Sequence, residues 1–148
     1  MTGELTKEQI ENVLQSQVHC RLACVDGEKP YLVPVSYAYD GESIYCQSKE
    51  GKKINLLRKN PNICIQVQIM TSMNNWQSVL VTGIFEELKN EAAVAAREFL
   101  FNKVFTLFTT STIHKFEHEI TEEIEDKNRI KDVLFKIKIK EVTGRYEK

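Results

Sequence analysis

Between Val18 and Leu88 the chain is written as short runs of β-branched and aromatic residues separated by turn-forming residues, and that rhythm leaves few folds open. The runs are Val18 to Val25, Tyr31 to Tyr39, Ile44 to Ser48, Asn62 to Met70 and Trp76 to Leu88. The breaks Asp26-Gly27-Glu28-Lys29-Pro30, Asp40-Gly41 and Thr71 to Asn75 are too short to hold a crossover helix, so the strands they join run antiparallel. A sixth run, Val133 to Val142, alternates Phe135, Ile137 and Ile139 with Lys136, Lys138 and Lys140. That is the pattern of a half-buried strand, and its lysines discourage edge-to-edge pairing.

Helical segments punctuate these runs. Thr6 is placed to cap a helix, Gln9 completes a capping box, and Leu5 can staple to Ile10, with Val13, Leu14 and Gln17 continuing one face. Gly51 to Arg58 reads as a short helix with Ile54 and Leu57 inward, closed by Asn60-Pro61 because proline disfavours helix in the residue before it. Asn90 to Phe108, rich in Ala, Glu, Phe and Leu, reads as a long helix. Together these features predict a mainly β fold, a six-stranded antiparallel barrel with flanking helices. At 148 residues the chain is expected to form one domain spanning 1–148.

Composition narrows the function classes. No apolar run approaches the ~20 residues of a membrane span, and Met1 to Glu8 lacks the pattern of a signal peptide, so a cytoplasmic protein is expected. Cys20, Cys24, Cys46 and Cys64 contain no C-x2-C pair and sit among apolar residues, which reads as buried thiols rather than a metal site. His114 and His118 are four apart but lack the Glu of a zinc-binding H-E-x-x-H helix. A net charge of −1 gives no overall attraction to nucleic acid or to an anionic membrane, so neither is expected as a partner.

The charge is nevertheless unevenly placed. Lys49, Lys52, Lys53, Arg58 and Lys59 stand against Glu50 alone, a local +4. From His114 to Arg129 six acids face three cations, a local −3 that suggests a solvated helical or flexible insertion. Gly51 precedes Lys52-Lys53 where a helix starts, and unpaired backbone N–H groups there favour an anion. Gln47 and Ser48, at the end of the preceding strand, can add hydrogen bonds, so these residues form a candidate phosphate cradle. The second unusual feature is Pro34 within Leu32-Val33-Pro34-Val35-Ser36-Tyr37, since proline cannot donate to a ladder. It marks either an edge or a place where a flat ligand lies against the strand, and Ser78 is a candidate to face the same space.

Several ordered blocks then resemble a known family. Arg21-Leu22-Ala23, Pro30 to Gly41, Ile44-Tyr45, Glu50 to Pro61, Trp76 to Gly83 and Glu141 to Arg145 are similar to the pyridoxamine 5'-phosphate oxidase-related FMN-binding split barrels. The resemblance is nearer to the branch that includes nitroimidazole-resistance proteins. It implies an isoalloxazine against Val33, Pro34, Val35 and Ser36, with main-chain groups on its pyrimidine edge. It further implies a phosphate held by Gln47, Ser48, Lys52 and Lys53, a flavin contact at Ser78, and a homodimer with a flavin in each cleft between subunits. Nitroimidazole-resistance relatives commonly carry His where this chain has Gln47. The carboxy-terminal Trp and Arg block of the true oxidases is not evident.

The expected function is therefore that of an FMN-dependent oxidoreductase, passing electrons from a reduced nicotinamide donor to a small acceptor. The flavin supplies the chemistry, and no catalytic side chain is singled out. A non-catalytic flavin store or sensor is the alternative. A barrel that binds haem, or nucleic acid, without flavin is a third reading, and the near-neutral charge argues against nucleic acid.

Overall fold

A computed structural model describes residues 1–108 and 132–148. The acidic stretch from His114 to Arg129 lies outside the described residues. In chain order the elements are β1 (Thr2–Glu4), α1 (Lys7–Ser16), β2 (His19–Asp26), β3 (Lys29–Tyr39), β4 (Ser43–Lys49), α2 (Lys52–Lys59), β5 (Asn62–Ser72), β6 (Asn75–Leu88), α3 (Asn90–Phe108) and β7 (Asp132–Glu147).

The sheet order is β1-β7-β4-β3-β2-β5-β6, and β7 also pairs with β6. That extra pairing closes six strands, every neighbouring pair antiparallel, into a ring, with β1 attached outside it on β7. The six expected strands all form. The additional β1 is only three residues of Thr-Gly-Glu, too short and too polar to show an alternation, and it exists because the tail of β7 offers it an edge. For the same reason β7 runs on past Val142 to Glu147, where β1 and β6 hold it on both sides.

Alternation along the strands sorts the side chains. Leu22, Tyr37, Ile44, Cys46, Ile65, Val67, Val79, Val81, Phe135 and Ile137 fill the barrel. One end is closed by α1 through Val13 and Leu14, the other by α2 through Ile54 and Leu57, all four fully or almost fully buried. The Thr6 capping box forms as read: the Gln9 amide N–H donates to Thr6 Oγ1 at 3.2 Å and the Thr6 N–H to Gln9 Oε1 at 2.8 Å. The staple residues Leu5 and Ile10 converge on Gly144 of β7, where a Cβ would stand 2.8 Å from a carbon of each.

Outside the barrel the two sides differ. α3 covers one side, with Ala96 and Leu100 packed on Ala38 of β3 and Leu134 of β7, and Phe99 edge-on to Tyr45. On the other side the outward residues Arg21 of β2, Leu32, Pro34 and Ser36 of β3 and Leu80 of β6 are exposed. Leu32 is 63% exposed and Leu80 43%. No helix among the described residues is long and apolar enough to cross a membrane.

Candidate functional site

The site begins where β3 and β4 part. Only Tyr37, Ala38 and Tyr39 of β3 pair with β4, opposite Cys46, Tyr45 and Ile44. Beyond that point β4 continues along β7 alone, and the first half of β3 keeps β2 as its one neighbour. The Tyr37 amide donates to Val18 O at 2.9 Å, so by antiparallel alternation the odd-numbered residues of β3 turn their backbone groups towards β2. Leu32, Pro34 and Ser36 turn theirs to the open edge. Pro34 is tolerated here because the N–H it lacks would have pointed away from the ladder.

The expected residues on this strand divide by face. Val33 and Val35 pack inward against the barrel core, Val35 being buried. Pro34 and Ser36 are exposed on the outer face. What β3 offers a ligand is therefore the Pro34 ring and its edge carbonyl and amide groups, not the two valines.

Across the gap lies the start of α2. Gly51 is its N-cap, so the N–H groups of the first turn receive no side-chain cap, and a Cβ on Gly51 would meet nothing within 4 Å. Lys53 Nζ donates to Ser48 Oγ at 2.8 Å. Burial at the barrel mouth lowers the Lys53 pKa from its ordinary value, an effect opposed by the nearby thiols Cys46 and Cys24. Lys52 instead reaches the β2–β3 turn: its ammonium is 3.3 Å from Asp26 Oδ2 and 5.0 Å from the centre of the Tyr31 ring.

Other expected residues are not brought together. Gln47 points to the opposite face of β4 from Ser48, and its Nε2 donates to Asp132 Oδ2 at 2.6 Å. Ser78 lies on the outer face of β6, where its Oγ accepts from Gln66 Nε2 at 2.9 Å. Three strand spacings separate it from Ser36, about 14 Å across the sheet. Within one copy of the chain it does not border the β3 edge.

The basic stretch is also less free than its formal charge. Arg58 binds both carboxylate oxygens of Glu50 at 2.8 and 2.9 Å and those of Glu87 at 2.8 and 3.0 Å. This guanidinium serves the fold, tying α2 to the ends of β4 and β6. Nothing local in the sequence marks Asp26 or Tyr31 for this place, since Asp26 reads as a turn former and Tyr31 as the start of a strand. Only the two-residue turn Gly27-Glu28, with Gly27 at φ +64°, swings them under Lys52.

The four cysteines are free thiols, three of them buried, and burial pushes the Cys20 pKa up to about 12. They are placed as packing groups.

This fold is shared with known proteins. The model of the pyridoxamine 5'-phosphate oxidase family matches residues 6–146, and the chain belongs to that family. An uncharacterised protein of Rhizobium meliloti (strain 1021) is 38% identical over 84 residues, covering 57% of this chain and 56% of that protein. The match thus spans little more than half the length of that relative. An FAD-binding protein from Mesorhizobium loti has a similar structure, with a TM-score of 0.78 and 30% identity, covering 100% of this chain and 98% of the other. A candidate 5-nitroimidazole antibiotic resistance protein from Bacteroides thetaiotaomicron shares the fold, with a TM-score of 0.71 and 19% identity over 99% of this chain and 87% of the other.

Proposed function

We propose that this chain is a homodimeric FMN-binding protein that passes electrons from a reduced nicotinamide donor through the flavin to a small acceptor. The observation that carries the reading is the parting of β3 from β4, which leaves an unpaired backbone edge directly beside an uncapped helix N-terminus. A planar ring with a hydrogen-bonding rim suits the first, and a phosphate suits the second. Membership of the pyridoxamine 5'-phosphate oxidase family and similarity to an FAD-binding protein support a flavin as the ligand.

The residues fit that group in defined roles. Lys53, Ser48 and the first-turn amides of α2 hold the phosphate, with Lys52 joining once it leaves Asp26. Pro34 and the edge groups of Leu32 and Ser36 carry the ring. Gln47 serves the site only by releasing Asp132. Ser78 contributes only from the second copy, which would pack on the face that exposes Leu32 and Leu80. When bound, the flavin supplies the redox chemistry, while the protein supplies orientation and charge.

Purified protein should be yellow and should release FMN on denaturation. A colourless preparation that takes up neither FMN nor FAD rules the reading out, and uptake of FAD in preference to FMN corrects the cofactor. Replacing Lys52 and Lys53 together with Ala should remove most FMN affinity. Anaerobic mixing with NADH or NADPH should bleach the flavin. An unbleached flavin under both donors makes the protein a flavin store or sensor instead.

A further inference from the structure

Three of the cations near the β3 edge are engaged. Lys52 has Asp26, Lys53 has Ser48, and Arg58 has Glu50 and Glu87. Arg21 of β2 has no hydrogen-bond or ion-pair partner among the described residues, and it is exposed while its chain neighbours Cys20 and Leu22 are buried. Its side chain therefore stands on the exposed outer face.

Register fixes what lies beside it. Arg21 is directly opposite Pro34 on one side and Gln66 on the other. Because Val18 and Tyr37 form a hydrogen-bonded pair, alternation makes Arg21 and Pro34 a non-hydrogen-bonded pair, the kind in which side chains approach most closely, with Cα atoms about 4.5 Å apart. Gln66 is neutral and already donates to Ser78. A guanidinium with no carboxylate partner among the described residues thus adjoins Pro34, within the stretch of β3 where a flat ligand is expected.

We propose that Arg21 sets the redox poise of the flavin by compensating the charge gained on reduction. The inference rests on the flavin reading above. Two electrons and one proton, delivered as hydride from a reduced nicotinamide or as two electrons from dithionite with a solvent proton, leave the donor oxidised. They give the neutral ring system one net negative charge, borne at its pyrimidine edge. A cation within reach of the ring favours the reduced form over the oxidised one, and charge near the ring is a principal means by which a protein tunes a flavin. Arg21 is on this account a poise-setting residue that leaves binding of the oxidised cofactor largely to the phosphate cradle and the β3 edge.

The test is a dithionite titration of FMN-loaded protein against a reference dye, comparing wild type with R21Q, R21M and R21K. R21Q and R21M should bind oxidised FMN within about threefold of wild type yet hold the reduced form at least tenfold less tightly. For a two-electron couple that tenfold change lowers the midpoint potential by about 30 mV. R21K should recover much of the difference. Unchanged potentials in R21Q and R21M with flavin still bound overturn the proposal, as does an equal loss of affinity for both redox forms. A wild-type protein that binds no flavin overturns this proposal and the flavin reading together. Normal flavin binding with no potential shift removes this one alone.

Discussion

The hydroxyl of Tyr37 donates a 2.8 Å hydrogen bond to the carbonyl of Leu14, joining the last turn of α1 to the residue at which β3 meets β4. Both groups are buried, and the carbonyl is one that a helix end leaves without an intrahelical partner. Tyr37→Phe leaves that carbonyl buried and unpaired and should cost about 1–3 kcal/mol in urea unfolding. Because the bond anchors β3 where its free edge begins, FMN affinity should weaken as well. Full stability in the variant would show that the bond is replaced by water.

Gly144 should not accept a side chain. Leu5 and Ile10 already occupy the space a Cβ needs, and both are held by the capped start of α1. Gly144→Ala should destabilise the protein by about 1–3 kcal/mol through overpacking, read as a lower urea midpoint with an unchanged slope.

Lys53 gives phosphate binding a pH dependence of known sign. Burial lowers its pKa from the ordinary 10.5, so the ammonium loses its proton earlier on the alkaline side than an exposed lysine does. The desolvation penalty on the charged form is present at low pH and is relieved as pH rises through the folded pKa. The cation available to a phosphate is lost over the same interval. FMN affinity should therefore fall in alkaline solution below pH 10.5, and Lys53→Arg should abolish that fall. An identical fall in Lys53→Arg assigns it to another group.

Asp26 competes with the phosphate for Lys52. Both side chains are well exposed, at 43% and 59%, so their ion pair is worth no more than about 1 kcal/mol. Asp26→Asn should tighten FMN binding by up to about fivefold at low salt, with the gain shrinking as ionic strength rises. Weaker binding would give Asp26 a positioning role.

How much of this was legible in the chain follows the range of the interactions. The α1 cap could be read outright, because Thr6 and Gln9 are three residues apart and need nothing else. The alternation of Phe135, Ile137 and Ile139 likewise carried its own orientation. Pro34 and Gly51 were legible as anomalies, since each breaks a local rule. The engagement of Lys52 by Asp26, of Gln47 by Asp132 and of Arg58 by Glu87 was not, because each joins residues that only strand register brings together. The separation of Ser78 from Pro34 is hidden for the same reason: two outward residues on strands of one barrel look equivalent until the strand order is known.

The position of β7 has a consequence for biosynthesis. It follows the other described strands in the chain, yet it pairs with β1 and supplies the second neighbour of both β4 and β6. As the polypeptide leaves the ribosome, β4 and β6 must wait with bare edges until Asp132 to Glu147 arrives. During that interval the nascent protein is open to pairing with other chains. Closure at such long sequence separation predicts slow folding, and it makes a truncation within β7 far more damaging in the cell than the loss of a few surface residues suggests.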